Sequence, residues 1–179
     1  MSTATLISAF PAMAVQGSWT RWASRTCSEG AFPNSRASAG TGPLLEPGRL
    51  AILGSDPRET TEAGREFLAQ AGVSFQEAPA LIADPAAAAE RALAAVTATS
   101  PRFLVHFDID VVDSGDLPLG NFPHYGSGVR LEHALAALRV LRSHPAFAGL
   151  VLTEVNPTHD PVGSELIRLV SGLASALAA

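Results

Sequence analysis

The sequence predicts an α/β chain with a three-layer α/β/α arrangement and a mostly parallel sheet. Two observations carry that prediction. From Leu50 onward, short apolar runs alternate with amphipathic or Ala-rich runs, the pattern of strands joined by covering helices. The 179 residues are 47% hydrophobic, which is ample for one globular core.

The elements follow in order. Leu50-Ala-Ile-Leu-Gly54 reads as a short apolar strand ending in Gly. A helix is expected to open near Glu59, with Pro57 at or near its first turn, and to stop at Gly72. Val73-Ser-Phe-Gln-Glu77 alternates as a strand does. Asp84-Pro85 should cap an Ala-rich helix running through Val96. Arg102 to Asp108 reads as a buried strand. Arg130 to Ser143 is amphipathic, with Leu131, Ala134, Leu135, Leu138 and Leu141 on one face. A strand over 149–155 and a closing helix over 164–177 complete the series.

Residues 1–43 belong to a different regime. Gly17 to Gly30 shows neither period, and residues 30–43 are rich in Gly, Ala, Ser and Pro. They read as an irregular N-terminal arm, with a marginal helix over 4–15 as its most regular part. The arm is not expected to supply strands to the sheet. Residues 5–15 faintly resemble a signal-peptide core, but no Lys or Arg precedes them and Pro11 interrupts them, so no signal peptide is expected.

Charge excludes several function classes. The net charge is −5, and all twelve basic residues are Arg. They are scattered and make no stripe for nucleic acid. No run reaches the length of a membrane span. The single Cys27 excludes an internal disulfide framework and fits a reducing cytoplasm.

Chemistry concentrates in Phe107-Asp-Ile-Asp-Val-Val-Asp113 and Thr153-Glu-Val-Asn-Pro-Thr-His-Asp-Pro161. The first motif closes a strand in two aspartates, and on a strand their i, i+2 spacing puts Asp108 and Asp110 on one face. Two such carboxylates repel unless a cation lies between them, and hard divalent metals are the usual occupant. Glu154 follows a second apolar strand. Carboxylates at the carboxyl ends of parallel strands line the crevice where ligands bind.

Together the two motifs resemble the arginase/agmatinase (ureohydrolase) family, over roughly residues 44–178 and closest to an arginase-like branch with a long polar loop after the aspartates. The resemblance implies the C-terminal part of an arginase-like α/β domain over 44–179. It implies hydrolysis of linear amidines of arginine or agmatine type at a dinuclear manganese centre. Asp108 and Asp110 would be metal ligands. Glu154 would be the catalytic and substrate-binding residue, holding the small cationic guanidino substrate by a bidentate salt link. Homo-oligomers are common in the family. Its two upstream metal motifs, Gly-Gly-Asp-His and Asp-Ala-His-x-Asp, occur nowhere in these residues. The expected chain is therefore truncated, with half of its metal site missing and its activity in question.

The remaining candidates divide between site and scaffold. His106 extends the cluster to His-x-Asp-x-Asp, or is a hydrogen-bonded core histidine. Asp113 is expected to organise the loop. His124 lies in the Pro/Gly loop 117–128, which should overhang the site. His144, before Pro145, suits a helix C-terminus, His133 a helix surface, and His159 and Asp160 the loop after Glu154.

Two other readings compete. A haloacid-dehalogenase-like phosphatase would use Asp108 as nucleophile, Asp110 as acid/base and Mg²⁺ as cofactor, but the chain has no Lys for phosphate. A non-catalytic remnant or interaction module is the third. A separate reading concerns the arm. Back-translated one base earlier, residues 18–24 permit Leu-Asp-Ala-Met-Gly-Leu-Ala, which resembles family sequence. The arm would then be an out-of-frame product that rejoins the correct frame before Leu44.

Overall fold

The computed structural model describes residues 5–9 and 47–178. Five strands form one parallel sheet in the order β3-β2-β1-β4-β5: β1 (Thr5–Ala9), β2 (Leu50–Ser55), β3 (Ser74–Glu77), β4 (Phe103–Asp108) and β5 (Phe147–Thr153). The helices are α1 (Glu62–Gln70), α2 (Ala78–Ala83), α3 (Pro85–Thr97), α4 (Leu131–Ser143) and α5 (Ser164–Ala178).

The first strand corrects the sequence reading. Thr5–Ala9, expected to be irregular or helical, lies at the centre of the sheet, with Ala9 opposite both Leu53 and Phe107. Thr-Leu-Ile-Ser-Ala is a short run with β-branched residues, which suits a parallel strand flanked on both sides. Its signal was weak because Pro11 and a segment without periodicity follow it. The rest of the arm lies outside the described residues.

Helix boundaries follow local hydrogen bonds. The Asp56 carbonyl accepts the amides of Glu59 and Thr60 at 3.1 and 3.2 Å, so a turn holds these residues. Helix α1 therefore starts later than Glu59, at Glu62, where the Thr61 side chain caps the Gly64 amide at 3.1 Å. Gly72 then takes φ +76° and ends the helical run as expected. Asp84 caps α3 through the Ala87 amide at 2.9 Å, with Pro85 opening the helix. Helix α2 was not foreseen. It is six residues long, has a Pro in its first turn, and buries Ala78 and Leu81.

The main core lies between one face of the sheet and α3, α4 and α5. It joins Ala51, Leu53, Phe103, Val105 and Phe107 to Ala88, Ala92, Val96, Leu138 and Leu169. Three alanines of α3 (Ala88, Ala89 and Ala92) are fully buried and leave room for its backbone near the strands. The opposite face carries a smaller cluster, in which Leu50 and Ile52 meet Leu68 and Val73. Helices on both faces give the three layers. Burying a leucine such as Leu138 contributes about 2 kcal/mol. Gly172 lets α5 pass close to α4: a β-carbon there would meet the end of the Leu135 side chain, which would have to shift. No described helix is long and apolar enough to cross a membrane.

Candidate metal and substrate site

Strand order decides where a ligand can sit. The chain runs outward from β1 through β2 to β3, then returns to the other side of β1 for β4 and β5. Connections diverge at the carboxyl ends of β1 and β4, where a crevice opens in parallel sheets. Asp108 is the last residue of β4 and stands at this point.

Asp110 is not on the strand. Residues Ile109–Val111 form a single 3₁₀ turn, so strand alternation does not place the two carboxylates on one face. A different contact joins them: Asp108 Oδ1 accepts the Asp110 amide at 3.0 Å, an Asx-type turn. Both are buried, with 7% and 2% of their surface exposed. Among the described residues, neither makes an ion pair.

The electrostatics reflect this. Burial pushes the Asp108 carboxyl up to about 7; the hydrogen bond from the Asp110 amide pulls it back, and the charges of Asp110 and Glu154 add to the rise. Burial also raises Asp110, eased by the Phe122 amide at 3.2 Å and by nearby His124, and reinforced by Glu154. Asp56, just past the end of β2, is the contrast. Burial alone would raise it, yet hydrogen bonds from Arg58 and the Arg58 charge hold it below the ordinary range. One buried acid on this edge has its cation; two do not.

Glu154 is brought to the same place. It follows β5, the parallel neighbour of β4, and its charge acts on Asp108, Asp110 and His106 alike. Its backbone is left-handed, φ 59°, unusual for a residue with a β-carbon. Such strain persists only where the surroundings hold it. Here the segment 119–121 does so: the Asn121 amide donates to the Glu154 carbonyl at 2.9 Å, and the Asn156 amide donates to the Leu119 carbonyl at 2.8 Å. Gly120 approaches so closely that a β-carbon there would collide with the Asp110 carboxylate. Neither Asn121 nor Gly120 was singled out from the sequence; the Gly-Asn pair inside the 117–128 loop was the available signal.

The other candidates separate as follows. His106 Nε2 hydrogen-bonds Thr153 Oγ1 at 2.8 Å, and partial burial lowers its pKa against the pull of Glu154, as for a half-buried, hydrogen-bonded histidine. Asp113 organises the loop, accepting the amides of Gly115 at 2.8 Å, Gly126 at 2.5 Å and Ser127 at 3.1 Å. His124 lies near enough to Asp110 to ease its charge, which places the loop beside the acids. His144 ends α4, and its Nδ1 accepts the Ala146 amide at 3.1 Å. Asp160 serves α5, accepting the amides of Gly163 at 3.0 Å and Leu166 at 2.9 Å. His159 contacts Asn156 at 3.2 Å.

Oxygen donors, buried and without a cation, fit a hard divalent metal in kind. They do not fit in number: among the described residues, no group of three or more His, Cys, Asp or Glu is arranged to hold an ion. Asp108 and Asp110 are at most part of a metal site.

Comparison with known proteins agrees on the fold. The family model described as "Arginase family" matches residues 17–179. Arginase from Bacillus caldovelox is 19% identical, with a TM-score of 0.69 over 83% of this chain and 49% of its own. Formimidoylglutamase from Bacillus subtilis is 17% identical, with a TM-score of 0.67 over 98% of this chain and 53% of its own. Formiminoglutamase from Trypanosoma cruzi with Mn²⁺ is 12% identical, with a TM-score of 0.69 over 98% and 54%. The chain thus spans about half the length of the solved structures it matches. No curated protein matches it.

Proposed function

This chain belongs to the arginase family, and from that premise we propose that Asp108, Asp110 and Glu154 are the acidic side chains of a metal-dependent hydrolase of linear amidines. The substrates are guanidino or formimino compounds of arginine or agmatine type. Asp108 and Asp110 are the manganese ligands, and Glu154 receives the substrate's cationic group. One observation supports this most: two buried aspartates without a counter-ion lie at the sheet's switch point, with Glu154 close enough to raise both. Manganese, when bound, supplies Lewis acidity. The chain's own contribution is to gather negative charge where a cation binds and to keep Glu154 aimed at the substrate. Among the described residues Arg58 pairs with Asp56 and no arginine pairs with Asp108 or Asp110, which leaves the two aspartates to an external cation. The family match leaves the phosphatase reading without support.

A second reading has its own observation. Two aspartates fall short of a complete metal site, which favours a chain that binds a cationic amidine without turning it over. The remaining ligands would have to come from outside the described residues. A cytoplasmic location and a homo-oligomer belong to the same proposal. The test is direct. Incubate the Mn²⁺-loaded protein with arginine, agmatine and N-formimino-glutamate, and measure urea and formamide together with ligand affinity. Product release supports the hydrolase; affinity without product supports the binding module. Failure to bind manganese or any of the three amidines overturns both.

A further inference from the structure

We infer that Asn121 is a positioning residue that sets the direction of the Glu154 carboxylate through a polar relay; the inference rests on the role proposed above for Glu154. The relay starts at a group that can only donate. The backbone amide of Thr158 donates to Asn156 Oδ1 at 3.1 Å, and the Thr158 hydroxyl does so at 2.6 Å. Asn156 must therefore turn its Nδ2 the other way, where it donates to Asn121 Oδ1 at 3.3 Å. That in turn fixes the second amide. Asn121 Nδ2 faces Glu154 and donates to Oε2 at 3.1 Å. The order of donors is thus dictated from a backbone N–H and does not depend on an arbitrary choice of amide orientation.

The same residue also grips the backbone. The Asn121 amide donates to the Glu154 carbonyl at 2.9 Å, beside a short antiparallel bridge between Gly120 and Val155. A left-handed glutamate is therefore held at both its carbonyl and its carboxylate by one asparagine. Oε2 is committed to the relay. Oε1 has no hydrogen-bond partner among the described residues, so it is the oxygen presented to a cationic ligand. Asn121 touches neither the proposed metal nor the reacting carbon; it acts through Glu154.

Reversing the hydrogen bond tests the relay. Asn121→Asp keeps the shape and removes the donor, setting a carboxylate against a carboxylate. Adding Glu154→Gln supplies a donor from the other side. In urea denaturation of the full chain, N121D should lower the midpoint, E154Q alone should leave it nearly unchanged, and N121D/E154Q should regain most of the loss. If N121D does not fold, recovery of a folded double variant demonstrates the same link. A double variant that keeps the full deficit of N121D, or stays unfolded with it, overturns the inference. With Mn²⁺ present, agmatine affinity should fall at least tenfold in N121D. Unchanged agmatine affinity in a folded N121D also overturns it. If the unsubstituted chain binds no agmatine, the proposed function fails, and the urea cycle alone decides the Asn121–Glu154 link.

Discussion

Replacing Asp108 by Asn isolates the charge that gives the site its character. The carboxyl is 7% exposed and rises from an ordinary 3.8 to about 7. Each tenfold change in proton affinity corresponds to about 1.4 kcal/mol, so the shift amounts to roughly 4 kcal/mol as an upper figure. The sign follows from the direction. The folded state binds the proton more tightly than the unfolded chain, so this contribution to stability is complete below about pH 4 and is lost as pH rises through about 7. Asparagine is neutral throughout and keeps the Oδ1 that accepts the Asp110 amide. Metal-free D108N should therefore be more stable than the parent by about 2–4 kcal/mol at pH 8, and nearly equal to it at pH 3.5. Urea denaturation with chelator across that range measures the difference. A difference that is independent of pH would refute the reasoning, since it would mean that Asp108 is not an uncompensated buried charge.

Other outcomes follow from packing and register. Gly120→Ala must displace either the Asp110 carboxylate or the segment that carries the Phe122 amide to Asp110 and Asn121 to Glu154. It should cost about 1–3 kcal/mol in denaturation and weaken Mn²⁺ binding; an unchanged protein would contradict the close approach. Leu138→Ala removes a fully packed side chain from the main core and should cost about 3 kcal/mol in denaturation; a loss under about 1 kcal/mol would mean that the helix face is not buried as described. Sequencing the coding DNA tests the out-of-frame reading of the arm. A family motif should appear in the shifted frame upstream of Leu44, and a stop codon there ends the idea.

The sequence displayed the strands of the described C-terminal part because β2, β4 and β5 are short apolar runs and β3 alternates, each set off by Gly, Pro or Asp punctuation. The motifs around Asp108 and Glu154 were legible for the same reason: they close such runs. Two features were hidden by non-local causes. Thr5–Ala9 becomes a strand through pairing with Leu50–Ser55 and Phe103–Asp108, partners 44 positions away at Leu6 and Leu50 and 98 away at Thr5 and Phe103, and nothing adjacent in the chain announces it. Asn121 gained its role only when its loop folded back onto residues 154–156. The relation of Asp108 to Asp110 was placed correctly as a neighbourhood and wrongly as a strand face. Alternation stops at Asp108, because its own side chain binds the Asp110 amide and bends the chain into a turn. The left-handed backbone of Glu154 could not be read from Thr-Glu-Val-Asn-Pro, since glutamate carries no local preference for it.

The hydrolase reading of this edge depends on Asp108 and Asp110 holding a divalent cation. Titrating the protein with Mn²⁺ while following the electron paramagnetic resonance of the free ion measures that most directly. The account predicts bound manganese in the parent chain at pH 8 and none at the same concentration in D108N/D110N. No binding by the parent, or equal binding by the folded double variant, would contradict it.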